Sequence, residues 1–132
     1  MQERILVREK EAELKEGRKT YDLEQRTFEF AKDVRAFVKR LPRSIWNFED
    51  VKQLVRASGS VGANYIEANE SLGQKDFALH IRISRKEAKE SGFWLKLLDK
   101  GHNAELSNQA SILMQEAHEL TNIFGAILRK SV

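Results

Sequence analysis

The chain of 132 residues has no cysteine and one proline, Pro42. Without cysteine there is no disulfide framework, no thiolate metal site and no thiol nucleophile, a usage compatible with a reducing cytoplasm. No apolar run approaches the ~20 residues a membrane helix needs. Met1-Gln2-Glu3-Arg4 leads into a charged segment, not an apolar signal core. The expectation is a cytoplasmic protein with no membrane partner. Motifs for chemistry are missing too. Di-metal helical bundles use Glu-x-x-His on facing helices, and this sequence contains no such spacing. In Glu116-Ala117-His118 the two ligands point apart, and Asp76 with His80 (i, i+4) has no matching pair on another segment. There is no Gly-x-Ser-x-Gly elbow. Gly59-Ser60-Val61-Gly62 lies inside a helical pattern and lacks the following Lys-Ser/Thr of a phosphate loop. We therefore expect no catalytic residue, no metal and no cofactor.

What is present is a helix-rich, soluble composition, 33% charged and 41% hydrophobic. The length suits one domain with one real core. A net charge of +3 permits an acidic partner without demanding one, so placement of the charges decides. Residues 1–20 mix Lys and Arg with Glu around few apolar anchors, Ile5, Leu6, Val7 and Leu14. Acids and bases nearly cancel there, which favours a charged arm or helical extension over a nucleic-acid-binding arm. Residues 21–132 form the folded unit.

Four segments carry helical periodicity. The first, Asp22 to Leu41, has an apolar stripe of Leu23, Thr27, Phe30, Val34, Phe37, Val38 and Leu41, and Pro42 ends it. The second, Phe48 to Ser71, has Asn47 as its expected N-cap and Gly73 as its stop, with Val51, Leu54, Ser58, Val61, Tyr65, Ala68 and Leu72 as its stripe. The third, Lys75 to Lys100, is closed by Gly101; Phe77, Ile81, Ser84, Ala88, Ser91, Leu95 and Leu98 face the core. The fourth, Leu106 to Arg129, is capped by Asn103 or Ser107 and presents Leu106, Ala110, Leu113, Ala117, Leu120, Phe124 and Leu128. No segment alternates like a strand. The fold class is all-α, an antiparallel up-down four-helix bundle.

Three features go beyond a plain bundle. Glycine costs a helix about 1 kcal/mol relative to alanine, so Gly59 and Gly62 point to close approach of another helix. The third helix carries a second apolar strip, Leu79, Ile83, Phe93, Trp94 and Leu97, away from its core stripe. A second apolar face needs another burial partner, which points to a homo-oligomer interface. The polar set Arg56, Asn64, Glu67, Glu87 and Glu90 reads as register-setting pairs across a helix or subunit boundary, so Asn64 and Glu67 join the expected interface; the alternative is a ligand or catalytic pocket around Glu67, Glu87 and Glu90. Finally, Lys75, Arg82, Arg85, Lys89, Lys96 and Lys100 cluster on roughly a quarter of the third helix, with Lys86 at the edge and Asp76, Glu87 and Glu90 on another side. Such a stripe suits phosphates. Lys52 and Arg56 extend it if the second helix lies alongside. The alternative is a solvated flank, or one paired with acids of a neighbouring helix or subunit. Trp46, Phe93 and Trp94 suit core or interface better than base stacking.

Taken as a set, Gln53-Leu54-Val55-Arg56-Ala57, Ser60 to Ala68, Lys75-Asp76-Phe77, Ile81 to Glu90 and Trp94 to Leu98 resemble the four-helix-bundle proteins encoded in intervening sequences of bacterial 23S ribosomal RNA genes. The resemblance covers about residues 27–130 and leaves out the charged arm. It implies a homopentameric ring with no attached enzymatic activity. That family is in turn similar to the accessory protein of diversity-generating retroelements, a basic pentameric bundle that binds nucleic acid and a reverse transcriptase. Many members read Asn-Ile-Ala-Glu-Gly where this chain has Asn64-Tyr65-Ile66-Glu67-Ala68, which marks a variant branch. Two functions follow: binding of RNA or DNA with low sequence specificity, or a scaffold for a partner protein without nucleic-acid contact.

Overall fold

The computed structural model describes residues 22–131, so the charged arm at residues 1–20 lies outside the described residues. Four helices follow one another: α1 (Leu23–Val38), α2 (Ile45–Asn69), α3 (Gln74–Leu97) and α4 (Ala104–Ser131). Among the described residues there is no strand. α2 packs along α3 and α3 along α4, while α1 closes the ring against α2 and, more sparsely, α4. Short connections make neighbours antiparallel.

The core is the meeting of the four expected stripes. Leu23, Phe30, Val34 and Phe37 of α1 join Leu54, Val61 and Tyr65 of α2, Ile81 and Leu95 of α3, and Leu113, Leu120 and Phe124 of α4. Each large side chain buried this way favours folding by about 1.5–3 kcal/mol before chain entropy is counted. The Tyr65 and Phe124 rings tilt against each other at 5.8 Å between centroids. Gly62 sits where α1 crosses: a Cβ there would stand 2.8 Å from Thr27 Oγ1. The close approach expected of the glycines holds at Gly62 and not at Gly59, whose added Cβ would meet only Arg35 at 3.7 Å.

Helix ends depart from the sequence reading in instructive ways. Asp22 caps α1, its Oδ1 accepting the Gln25 N–H at 2.7 Å. α2 begins at Ile45, not Phe48, because Ser44 is its cap and accepts the Asn47 N–H at 3.1 Å. Asn47, expected as the cap, is instead buried inside the first turn. Its Nδ2 donates to the carbonyls of Pro42 (3.0 Å) and Asp99 (2.9 Å), and its Oδ1 accepts the Asp99 N–H (3.0 Å). One side chain thus clasps the α1–α2 loop to the α3–α4 loop.

At the other end, α2 stops at Asn69, before its stripe reaches Leu72, which is fully exposed in the connecting turn. Gly73 is accordingly the N-cap of α3 and not the stop of α2. α3 ends at Leu97, and Leu98 turns into extended backbone. Gly101 lies beyond, in the loop, with φ +65° and no room for a Cβ, which would meet Pro42 Cγ at 2.8 Å. Of the two expected caps of α4, Asn103 serves, accepting the Leu106 N–H at 3.0 Å.

Candidate nucleic-acid interface

α3 presents different chemistry on each flank, and its neighbours explain why. Towards the core, Ser84 and Ser91 replace large residues and allow close packing; their hydroxyls donate to the carbonyls of Val61 and Glu87, both at 2.8 Å. Both serines are fully buried and satisfied, as buried polar groups must be.

The flank towards α2 is a polar ladder. Arg56 Nη1 lies 3.4 Å from Glu87 Oε2, and its Nη2 lies 3.9 Å from Glu90. Glu87 is buried, and its Oε1 has no hydrogen-bond partner among the described residues. Further along, Asn64 donates to the Ser60 carbonyl (3.0 Å) and hydroxyl (2.9 Å), while its Oδ1 lies 3.0 Å from His80 Nδ1. His80 Nε2 stands 3.6 Å from Asp76. The polar pairs expected across a helix boundary therefore form at the α2–α3 seam for Arg56 and Asn64. Glu67 is exposed and forms no ion pair among the described residues.

This placement corrects one expectation. α2 does lie alongside α3, yet Arg56 does not extend the basic stripe, because it is turned to the acids of α3. Lys52 is engaged within its own helix, 3.6 Å from Glu49 and 5.0 Å over the Phe48 ring.

The flank away from α2 differs. Lys75, Arg82, Arg85, Lys86, Lys89 and Lys96 are all exposed, and none makes a salt bridge among the described residues. The acids of α3 are committed elsewhere, Glu87 and Glu90 to Arg56 and Asp76 to His80. Lys100 is set apart: it donates to the Lys96 carbonyl at 3.2 Å, and burial pulls its pKa below the usual lysine value despite Asp99.

α4 adds a group that the sequence reading missed. Gly125 is buried on α4, and both Arg85 Nε of α3 and Arg129 Nη1 of α4 lie beside it, 3.4 and 3.5 Å from where a Cβ would stand. Two guanidinium groups thus lie against the same glycine. The spacing Gly125 to Arg129, one helical turn, is legible in the sequence; that Arg85 arrives over the same glycine is not.

The second apolar strip lies open in the single chain. Leu79, Phe93 and Leu97 are about half exposed, and Ile83 and Trp94 are partly covered. Phe93 meets Trp94 edge-on at 5.0 Å. Trp46, Ile45 and Phe48 are also exposed at the start of α2. Among the described residues, no group of three or more potential ligands is placed to hold a metal ion, and no helix is long and apolar enough to cross a membrane.

These features define a small helical bundle in which one flank of α3 carries a run of cations with no salt bridge among the described residues. The chain belongs to the 23S rRNA-intervening sequence protein family, whose sequence profile matches residues 19–126. It is similar to a crystal structure of a protein of unknown function from the S23 ribosomal protein family of Bacteroides thetaiotaomicron. The two share 28% identity over 81% of this chain and 98% of that one, with a TM-score of 0.70. No curated protein matches the chain. Neither the family nor that neighbour carries a catalytic designation.

Proposed function

We propose that this protein is a non-catalytic, cytoplasmic homo-oligomer that binds RNA or DNA with low sequence specificity. The observation that carries the proposal is the run Lys75, Arg82, Arg85, Lys89 and Lys96, exposed on one helix with no acid paired to any of them among the described residues. Surface cations of a monomeric domain are usually interspersed with acids; a segregated run creates a potential that a polyanion lowers. Phosphate contacts of this kind release counterions, so affinity falls steeply as salt rises and depends little on base sequence.

Assembly strengthens the effect. Leu79, Ile83, Phe93, Trp94 and Leu97 form an apolar strip beside the cations, and self-association through it covers what is otherwise exposed. A ring of five, the number the family resemblance implies, repeats the stripe and raises the effective affinity for a long polyanion without any new contact.

The test is light scattering coupled to size exclusion, with and without a short structured RNA, at low and moderate salt. An oligomer that retains RNA at low salt and releases it as salt rises is the expected result. Reversing two charges, Arg82→Glu with Arg85→Glu, abolishes retention while the oligomer persists. Retention unchanged in that variant refutes the proposal. An oligomer indifferent to RNA that co-purifies with another protein favours the scaffold reading instead.

A further inference from the structure

We infer that Arg85 and Arg129 form a clamp for a single phosphate group, seated over Gly125 at the α3–α4 seam. The inference deepens the nucleic-acid reading and rests on it for the identity of the physiological ligand. Its starting point is the convergence of two like charges. Arg85 Nε and Arg129 Nη1 lie 3.4 and 3.5 Å from the position a Cβ of Gly125 would take. Neither guanidinium makes a hydrogen bond to an acid or a salt bridge among the described residues.

Arg129 alone has an ordinary explanation. It sits in the last turn of α4, where a cation complements the helix dipole. That explanation does not reach Arg85, which belongs to the middle of α3 and has other solvent to occupy. Bringing a second guanidinium to the same spot is unfavourable unless an anion is shared between them. Phosphate suits the pair: its oxygens accept parallel N–H bonds from planar guanidinium groups, and two such groups reach different oxygens of one phosphate.

Gly125 completes the site. The residue is buried on α4, and a Cβ there would stand in contact with both donors. Glycine costs the helix stability at this position, as it does inside any helix. Its presence lets both guanidinium groups lie close against the α4 backbone. Lys75, Arg82, Lys89 and Lys96 continue along the same helix; in this arrangement they screen and steer the chain, while the clamp holds one phosphate in place.

Two readouts test the clamp, one free of nucleic acid. Titration of the full chain with inorganic phosphate is followed on the Nε–H signals of the arginines. The Arg85 and Arg129 signals are expected to move together and saturate, and each to lose its response when the other is changed to Gln. If they move no more than the signal of Arg43, an exposed arginine with no salt bridge among the described residues, the clamp is wrong. For a short RNA hairpin, Arg85→Gln and Arg129→Gln are each expected to weaken binding about tenfold, against about twofold for Lys89→Gln. The double variant should add little, because both groups serve one phosphate. Multiplicative losses equal to that of Lys89→Gln overturn the clamp and leave the diffuse stripe standing. Saturable phosphate binding without any RNA retention keeps the clamp and removes the nucleic-acid reading. Gly125→Ala, which keeps both charges and improves helix propensity, should weaken both readouts while leaving the fold intact; unchanged phosphate binding in that variant counts against the clamp.

Discussion

Replacing Asn47 by Ala is expected to destabilise the bundle more than its position in an exposed first turn suggests. The side chain is 2% exposed and makes three hydrogen bonds, two donated to the Pro42 and Asp99 carbonyls and one accepted from the Asp99 N–H. Each such bond contributes about 0.5–1.5 kcal/mol net. Pro42 and Asp99 are exposed loop residues, so water can replace part of what is lost. That puts the expected loss near the middle of the range, about 2–3 kcal/mol. For a domain of this size the shift in Tm is about 4 °C per kcal/mol, or roughly 10 °C.

Asn47→Asp refines the test. Aspartate can still accept the Asp99 N–H but turns a carboxylate on two carbonyl oxygens, so it should be at least as destabilising as alanine at neutral pH. The assay is urea unfolding followed by circular dichroism, at one protein concentration because an oligomer links stability to concentration. The slope m should stay constant while the midpoint falls. An Asn47→Ala midpoint within about 0.5 kcal/mol of the parent refutes the clasp, since surface substitutions lie in that range. An Asp variant clearly more stable than the Ala variant shows that the two donated bonds contribute nothing.

Three further outcomes follow from the packing and the charges. Gly62→Ala improves helix propensity by about 1 kcal/mol, but its Cβ would stand 2.8 Å from Thr27 Oγ1; overpacking of about 1–3 kcal/mol should prevail and lower the urea midpoint, whereas Gly59→Ala, which meets nothing closer than 3.7 Å, should stabilise. Arg26→Lys should not be conservative, because Arg26 binds Glu116 through Nε (2.7 Å) and Nη2 (2.8 Å) and reaches Glu119 at 2.7 Å, a forked contact that a lysine point charge cannot reproduce; the expected loss is about 1–2 kcal/mol by thermal unfolding, and a Lys variant equal to the parent contradicts it. Burial, with Glu29 adding to it, raises the pKa of Asp33 in the folded state. The folded chain then holds this proton more tightly than the unfolded one, so stability from this site is lost as pH rises from the ordinary aspartate value through the raised one. Asp33→Asn should therefore raise Tm slightly at pH 7 and match the parent at a pH below both values; the opposite order at pH 7 rules this out.

Much of the architecture was legible because it depends on period and on a few local rules. The spacing of Leu23, Phe30, Val34 and Phe37, or of Ile81, Ala88 and Leu95, identifies a buried face whatever the neighbour is, and all of these are buried. Family membership was legible for a related reason: the motif set on the second and third helices is long enough to be diagnostic. The ends were less so. Ser44 and Asn47 are both good caps by composition, and only the meeting of two loops at Pro42 and Asp99 reserves the Asn47 amide for tertiary bonds. Leu72 fits the stripe by period, but α2 has already ended.

Periodicity alone puts the cations of α3 on one side and its acids on another, because residues three and four apart share a face. Which of those charges find a partner depends on the packing of the whole bundle. It turned Glu87 and Glu90 to Arg56 across the α2–α3 seam, and it brought Arg85 to Arg129 over Gly125. The reason is physical: periodicity fixes the angle of a side chain about its own helix axis, whereas its partner is set by the crossing of two helices and by the small residues that let them approach.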